Sequence, residues 1–411
     1  MHPKDLSIHD FTYVLPTDRI AQQPLQARDE SKLLVYDSGK IEENIFSNII
    51  NYLPEGATIV FNDTKVIHAR LIFKNENGAA IEIFLLEPLE PFRDMQLAIF
   101  QYSECVWRCF VGNVKKWREE FLSKKIIIGN EEGNLTATLK GKIENDFLIY
   151  FSWKPETLSF AKVLGAAGYV PLPPYIKRSA DQRDEEHYQT VYAFQDGSVA
   201  APTAGLHFTE KLFNKLYEIN LHPLFITLHV SAGTFKPVKS EIMSGHEMHA
   251  EQFVVKKELI MQLLSRKDQP VIAVGSTCCR TLESLYWLGV KLLRTTDADI
   301  NDAPVFVGQW EPYELSENIH VSIEESLNAV LNLFEKKKVN QLIGETKLII
   351  APGYKLKLVD GLITNFHLPQ STLLLLIAAF IGDDWKKVYE YALNQNFRFL
   401  SYGDSSLLWR N

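Results

Sequence analysis

Segment 197–209 combines, more closely than any other, residue types that could do chemistry. It reads Gly-Ser-Val-Ala-Ala-Pro-Thr-Ala-Gly-Leu-His-Phe-Thr, so small residues surround the polar groups of Thr203 and His207. Small residues let a ligand approach the main chain, and histidine exchanges a proton near neutral pH. The pattern indicates a ligand-binding loop with His207 as an acid/base group. The alternative is a tight turn into a helix that begins at residue 210, with Thr209 as its N-cap.

A second segment, 246–251, reads His-Glu-Met-His-Ala-Glu and offers two imidazoles with two carboxylates. On a helix, His246 and His249 would be close enough to share a metal ion. The order differs from the HExxH zinc motif, however, and the sequence nominates no third ligand. An acid/base or substrate-ordering role for His249 and Glu251 is therefore preferred, and we expect no metal.

A third candidate lies at a predicted strand-to-helix junction, residues 275–283, which read Gly-Ser-Thr-Cys-Cys-Arg-Thr-Leu-Glu. Free N–H groups at the start of a helix, together with Thr277 and Arg280, could hold a carboxylate or another anion. The alternative is a capped helix on whose surface Arg280 pairs with Glu283. The segment is not a P-loop, so it gives no support to nucleotide hydrolysis.

A fourth candidate, segment 360–372, places Asn365 and His367 just before a strongly apolar stretch, 373–381. That stretch is too short to cross a bilayer and follows Ser371, a good N-cap residue, so it predicts a buried helix. We expect no membrane partner. Open α/β sheets bind ligands at the ends of their strands. In this chain the polar clusters directly follow predicted apolar strands, so we expect them at such a binding edge.

Short apolar segments that end in polar turns alternate with amphipathic patterns, which is typical of an α/β domain. The predicted strands are 58–64, 224–230, 271–274 and 347–350, and the predicted helices include 210–217 and 277–288. Between residues 70 and 153, runs rich in β-branched and aromatic residues predict strands of a small β-barrel instead. These runs are 80–86, 97–102, 106–111, 125–128, 135–139 and 147–151.

The predicted fold class is therefore α/β: a main, barrel-like α/β domain with an inserted small antiparallel β-barrel domain. The main domain comprises residues 1–69 and 154–411, and the insertion comprises residues 70–153. Region 294–344, helical from 322 to 338, interrupts the α/β pattern and is interpreted as an excursion from the main domain.

The chain has 411 residues, of which 46% are hydrophobic and 23% charged, as expected of a multi-domain globular protein. Its net charge of −8 argues against broad, nonspecific nucleic-acid binding. Four cysteines are too few for a disulfide framework, so we expect reduced, core-facing thiols and a cytoplasmic location. They are Cys105, Cys109, Cys278 and Cys279.

These segments, in this order, resemble the S-adenosylmethionine:tRNA ribosyltransferase-isomerase family of queuosine biosynthesis. The resemblance spans nearly the whole chain, because it includes many further motifs. These are 10–16, 20–22, 28–29, 61–64, Arg70, 171–178, 188–192, 227–235, 352–354 and 397–404.

The resemblance implies an enzyme that transfers the ribosyl part of S-adenosylmethionine onto 7-aminomethyl-7-deazaguanine at the tRNA wobble position. The ribosyl group is also isomerised, which gives epoxyqueuosine and releases adenine and methionine. S-adenosylmethionine is then a ribosyl donor substrate, the partner is the tRNA anticodon stem-loop, and no metal is implied. We expect a monomer.

Because the sulfonium acidifies the neighbouring ribose carbon, a positioned base must remove a proton, and histidines suit that task. His246 is one catalytic candidate. The others are His207, His249, Glu251, His229 and His367. The substrate-binding candidates lie in the matched motifs or at predicted strand ends. They are Asn62, Asp63, Thr64, Arg70, Tyr175, Arg178, Tyr188, Gln189, Thr203, Gly205, Thr277, Arg280 and Asn365.

The chain departs from the family pattern at Ser231, which replaces a glycine, at Ser276, and in 347–351 before Pro-Gly-Tyr. These departures motivate an alternative: a noncatalytic or retuned paralogue that binds tRNA or a purine-like ligand in the same cleft. A third interpretation, a metal-dependent hydrolase that uses His246 and His249, would require stoichiometric zinc.

Overall fold

A computed structural model of the chain describes residues 2–129, 131–231, 238, 240–266, 268–295, 305–316 and 320–411. Ten α-helices lie in this part of the chain. They are α1 (Met95–Ile99), α2 (Phe160–Ala167), α3 (Asp184–His187), α4 (Glu210–Glu218), α5 (Lys257–Ser265), α6 (Ser276–Leu292), α7 (Glu311–Ser316), α8 (Ile323–Lys337), α9 (Thr372–Ile381) and α10 (Trp385–Asn394).

Nineteen strands lie in the same described residues. They are β1 (Lys32–Asp37), β2 (Lys40–Ile45), β3 (Thr58–Asn62), β4 (Thr64–Val66), β5 (Arg70–Lys74), β6 (Ala80–Glu90), β7 (Glu104–Gly112), β8 (Leu122–Ile128), β9 (Glu131–Ile143), β10 (Asp146–Lys154), β11 (Gly168–Tyr169), β12 (Gln195–Ser198), β13 (Leu224–Leu228), β14 (Glu251–Lys256), β15 (Val271–Val274), β16 (Phe306–Val307), β17 (Gln341–Thr346), β18 (Gly361–Asn365) and β19 (Ser405–Trp409).

The main sheet has ten strands in the described chain, in the order β16-β17-β14-β13-β3-β15-β18-β19-β1-β2. Its centre, β13-β3-β15-β18, is parallel, whereas β14, β17 and β19 introduce antiparallel neighbours. The carboxyl ends of the four central strands therefore share one edge, which is where open α/β sheets bind ligands. The α/β class is confirmed, but the barrel-like form is not: within the described residues the sheet is open, with β16 and β2 as its edges.

Alternate residues of the central strands face two apolar layers, because successive side chains of a strand point to opposite faces. Val60 and Ala273 belong to the cluster that contains α6, whereas Phe61 and Ile272 belong to the cluster that contains α4. Strands covered on both faces are apolar throughout, which is why β15 is the uninterrupted run Val-Ile-Ala-Val.

The second large sheet is antiparallel, with seven strands in the order β11-β5-β6-β7-β10-β9-β8. Its strands β5 and β6 form a hairpin with its turn at 75–78, where Asn75 O accepts from Gly78 N and Gly78 has the positive φ of such turns. The sheet curls until β5 lies near β8, and no ladder between these two strands closes it in the described residues. A curled antiparallel sheet is present, and a closed barrel is not confirmed.

Two predicted strands are wrong. Segment 97–102 contains α1 instead, since the Asp94 side chain accepts from Leu97 N and caps a helix there. Segment 347–350 is a buried connection after β17, so its apolar composition reflects burial rather than strand pairing. At the end of region 294–344, β17 pairs with β14 in the main sheet. Residues 296–304 and 317–319 of that region, and 232–235 of a matched motif, lie outside the described residues.

Predicted helices begin where their cap residues indicate. Thr209 accepts from Leu212 N at the start of α4, Ser322 forms a capping box with Glu325 on α8, and Ser371 accepts from Leu374 N on α9. All four cysteines are buried and free, as expected. Among the described residues, no helix combines the length and the apolar character that a membrane crossing requires.

Candidate functional site

A cavity of about 360 Å³ lies at the carboxyl edge of the central strands. This volume is within the range of small-molecule sites. Strand ends, the start of α6, the segment before β14 and the connection after β17 all contribute to its wall. Ten of the predicted site residues line it: Tyr175, Tyr188, Thr203, His246, His249, Glu251, Thr277, Arg280, Asn365 and His367.

A buried ion pair occupies the wall of this cavity. Arg280, on the second turn of α6, donates through Nη1 to Glu251 Oε2, and its Nε donates to Leu348 O at 2.9 Å. The two residues are 7% and 3% exposed. Arg280 Nη2 and Glu251 Oε1 are buried and have no hydrogen-bond partner in the described chain. Such atoms are costly unless a partner arrives, so this donor and this acceptor indicate a polar ligand.

The alternative pairing of Arg280 with Glu283 on a helix surface is wrong. Glu283 is fully buried and accepts from the N–H groups of Leu358 and Val359 and from the Tyr354 hydroxyl. Burial raises the pKa of its carboxyl group, which these hydrogen bonds oppose. Glu283 thus holds the loop before β18, and Arg280 is free to face the cavity.

His246 and His249 both line the cavity, on an irregular segment after a 3₁₀ turn rather than on the helix that the metal-binding interpretation assumed. Burial lowers the pKa of His246, and the neighbouring His249 lowers it further. His246 is consequently neutral at pH 7 and able to accept a proton. In the described residues, no group of three or more His, Cys, Asp and Glu side chains could hold a metal ion.

His367 also lines the cavity, where its Nε2 lies 2.9 Å from Thr364 Oγ1. Burial lowers its pKa to about 4, so the ring is neutral at pH 7. Its backbone is fixed on both sides: His367 N donates to the Tyr389 hydroxyl, and His367 O accepts from the Tyr13 hydroxyl. The imidazole is therefore held rigidly at the cavity wall.

His207 does not line this cavity. It is buried, with Nδ1 at 2.7 Å from Ser31 Oγ and Nε2 at 3.2 Å from Asn365 Nδ2, and burial lowers its pKa to about 4. Asn365 does line the cavity, and its Oδ1 is buried without a partner in the described chain. Within the described residues, His207 is thus linked to the cavity wall by its contact with Asn365.

His229 is likewise outside the cavity wall. Its Nδ1 lies 2.9 Å from Thr64 Oγ1, its Nε2 lies 3.3 Å from Gln96 Nε2 on α1, and burial lowers its pKa to about 4. Both ring nitrogens thus have protein neighbours, and the ring joins the main sheet to the segment of the curled sheet that carries α1.

The other predicted binding residues outside the cavity wall serve the fold through visible contacts. Asn62 bonds both N–H and C=O of Leu228, which joins β3 to β13, and Gln189 bonds both groups of Val66. Asp63 accepts from Thr227 Oγ1, and burial raises its pKa. A Cβ on Gly205 would lie 1.9 Å from the Tyr192 hydroxyl oxygen, so close packing explains this glycine.

The two predicted arginines away from the cavity have carboxylate partners. Arg178 donates two hydrogen bonds, of 2.6 and 2.7 Å, to Asp184, and Arg70 pairs with Glu82 across β5 and β6. Ser276 and Ser401 also line the cavity, although neither is among the predicted site residues. Ser401 Oγ lies 2.6 Å from the Tyr175 hydroxyl, and only its place in the matched motif 397–404 could have indicated it.

A larger and more open depression, about 1090 Å³, lies at the opposite edge of the sheet, where β15 and β18 begin. Both of its arginines are already paired with Asp360, which lies 3.7 Å from Arg266 and 2.7 Å from Arg410. None of the predicted site residues lines it. The smaller cavity, with its unpartnered polar atoms, is therefore the candidate site.

The fold and the cavity define the class: an α/β protein with a cavity of small-molecule size at the carboxyl edge of its sheet. A family model described as a queuosine biosynthesis protein matches residues 8–408. The chain belongs to this family, and the resemblance found in its sequence is confirmed.

Two of the similar proteins are S-adenosylmethionine:tRNA ribosyltransferase-isomerases. The one from Sulfurihydrogenibium sp. (strain YO3AOP1) is 35% identical over 98% of this chain and 100% of its own length. The one from Halothermothrix orenii is 36% identical over the same shares of both chains. A solved structure, an S-adenosylmethionine tRNA ribosyltransferase from Thermotoga maritima, is 28% identical and covers 97% of this chain and 99% of its own. Its TM-score is 0.45, too low for a comparison of site geometry.

Proposed function

We propose that this protein transfers and isomerises the ribosyl part of S-adenosylmethionine onto 7-aminomethyl-7-deazaguanine at the wobble position of tRNA. The product is epoxyqueuosine, and adenine and methionine are released. The observation that carries the proposal is the full-length similarity to relatives named for this activity, at 34–36% identity. The cavity supplies the donor, the acceptor and the neutral imidazoles that the chemistry requires.

The Glu251–Arg280 pair suits the methionine end of S-adenosylmethionine. That end carries an α-ammonium and an α-carboxylate, so it can donate to a carboxylate and accept from a guanidinium at once. Glu251 Oε1 and Arg280 Nη2 are the unpartnered acceptor and donor of the cavity wall. Arg178 is less suited, because both of its terminal nitrogens already contact Asp184.

His249 and His246 are the proposed proton acceptors. The carbon next to the sulfonium gives up its proton to one imidazole, and the electron pair left on it forms the new ring bond to the carbon that carried adenine. Adenine departs with the electron pair of its glycosidic bond and takes up a proton, and the amine of the modified base loses a proton as it bonds to that same carbon. The ring oxygen, released from that carbon, closes the epoxide on the carbon that carried sulfur. The thioether of methionine departs with the electron pair of the carbon–sulfur bond. His367 is the third imidazole of the cavity and remains a candidate for proton transfer.

Two finer features belong to the same proposal. The chain divides into residues 1–69 with 154–411 and an inserted unit, 70–153, whose curled sheet has a separate apolar cluster around Trp107. Phe160 of α2 belongs to the same cluster, so this helix of the main unit packs on the insertion. The anticodon stem-loop is the macromolecular substrate, and a cytoplasmic monomer is the acting form.

The test is an incubation of the protein with S-adenosylmethionine and an anticodon stem-loop that carries 7-aminomethyl-7-deazaguanine. Chromatography follows free adenine, and mass spectrometry follows the RNA. We expect one adenine for each RNA molecule that gains the ribosyl-derived mass. Binding of both substrates without adenine or mass gain would contradict the proposal and would favour the noncatalytic or retuned paralogue.

A further inference from the structure

Asn365 stands between the cavity and the buried His207, and its amide can be oriented from its contacts alone. Asn365 Nδ2 lies 3.1 Å from Leu400 O and 3.2 Å from His207 Nε2. A backbone carbonyl only accepts, so the amide nitrogen must face Leu400 O, and the reversed amide would set two acceptors against each other. Both amide hydrogens are then used.

The tautomer of His207 follows from the same contact. Because Asn365 Nδ2 only donates, His207 Nε2 must accept, and the ring proton resides on Nδ1. Nδ1 then donates to Ser31 Oγ at 2.7 Å. Ser31 is 1% exposed and His207 is 5% exposed, so both groups are shielded from bulk solvent. The chain from Ser31 through His207 to Asn365 holds the amide in one orientation.

The remaining atom of the amide is Oδ1, which is buried and has no partner in the described chain, on a residue that lines the cavity. We propose that Asn365 Oδ1 accepts a hydrogen bond from an N–H or O–H donor of the substrate nucleoside, and that His207 is the positioning residue for this contact. The inference rests on the proposed function, since S-adenosylmethionine is the nucleoside concerned. Its donors are the 6-amino group of adenine and the two ribose hydroxyls.

The experiment measures S-adenosylmethionine binding by calorimetry, without RNA and without turnover. Three analogues each lack one donor: hydrogen replaces the 6-amino group, the 2′-hydroxyl or the 3′-hydroxyl. We expect Asn365→Ala to weaken S-adenosylmethionine binding at least tenfold, and one analogue to bind the wild type and the variant equally well. Asn75→Ala, which removes a buried amide from the hairpin of the curled sheet, is the control that leaves affinity unchanged.

The outcomes separate the two claims. In one outcome, the wild type binds S-adenosylmethionine, and Asn365→Ala weakens the binding of every analogue as much as it weakens the binding of S-adenosylmethionine. The inference is then overturned and the proposed function stands. If the wild type does not bind S-adenosylmethionine, the proposed function itself fails. If Asn365→Ala does not fold, the affinities of the wild type for S-adenosylmethionine and the three analogues decide. Loss of the contacted donor must weaken binding, so equal affinity of the wild type for all four would overturn the proposed contact.

His207 is tested by the preference for S-adenosylmethionine over the analogue that lacks the contacted donor. Glutamine can accept from Asn365 and donate to Ser31, so His207→Gln should keep that preference. His207→Leu removes the acceptor, and the preference should fall to near onefold. If His207 has only a structural role, His207→Leu should weaken the binding of both ligands equally. The ratio of the two affinities would then be unchanged, and His207 would not be a positioning residue.

Discussion

His246 and His249 lie beside each other at the cavity, where burial and the neighbouring ring lower the pKa of His246. A base must be unprotonated to act. We therefore expect kcat/KM to be constant above about pH 6.5, the ordinary histidine pKa, and to fall only at lower pH as the imidazole gains a proton. The measurement is the pH profile of adenine release from the stem-loop reaction.

The matching substitution is His249→Gln, which should lower kcat by about 10² or more if this imidazole takes the proton. His222→Gln is the control, because His222 is exposed in the turn between α4 and β13. A variant His249→Gln with wild-type kcat would remove this residue from the catalytic candidates.

Substitutions of the Glu251–Arg280 pair should affect the stability of the fold and the activity differently. Arg280→Met leaves Glu251 buried without its partner, so the free energy of unfolding should fall by about 3–5 kcal/mol. The double variant Arg280→Met/Glu251→Leu should recover most of that loss, since a buried pair is often replaceable by apolar residues. It should nevertheless show no adenine release, because the donor and acceptor for the substrate are gone.

Urea unfolding and the adenine assay check this prediction together. Arg108→Met is the control, because Arg108 also pairs with a buried carboxylate, Asp146, at 2.7 Å, but on the curled sheet. Activity in the double variant close to wild type would show that the pair serves the fold alone.

The contact between α6 and α8 is the clearest test at the scale of elements. A Cβ on Gly289 of α6 would lie 2.1 Å from Ser326 O on α8, so the two helices can approach only where the side chain is absent. Gly289→Ala should therefore lower the free energy of unfolding by about 1–3 kcal/mol, as overpacking does. Thermal and urea unfolding measure the effect.

Gly165→Ala is the matched control, since Gly165 lies on α2 and nothing is within 4 Å of its added Cβ. Alanine is the better helix former, so this variant should be more stable by about 0.5–1 kcal/mol. Equal effects of the two substitutions would mean that helix propensity, not the α6–α8 contact, governs Gly289.

For the whole molecule, three histidines make stability depend on pH. Burial lowers the pKa of His207, His229 and His367 to about 4 in the folded chain, against about 6.5 unfolded. Between these values the unfolded chain binds more protons, so stability is full above about pH 6.5 and is lost as the pH falls towards 4. Each unit of pKa difference is worth roughly 1.4 kcal/mol.

Urea unfolding at intervals from pH 7 to pH 4 measures this loss. His229→Gln should flatten the dependence, because it removes one of the three titrating groups while its amide can still bond to Thr64. A pH dependence that is unchanged in this variant would show that His229 contributes nothing to acid unfolding.

The sequence by itself determined the family, the α/β class and most of the elements. Those features depend on local signals: cap residues such as Ser371, apolar runs such as Val271–Val274, and motifs that span the chain. The same signals failed at 97–102 and 347–350, because apolar composition reports burial and does not say whether a segment pairs as a strand.

Only the tertiary structure decided which polar residues meet. The parallel order of β13, β3, β15 and β18 brings strand ends far apart in sequence to one edge, so Glu251, Arg280 and Asn365 share a cavity. No local signal indicates that His207 lies behind Asn365 or that Glu283 turns inward to a loop. Such roles depend on whether a side chain faces the cavity or the core behind it. Only the long-range packing of the chain determines that direction.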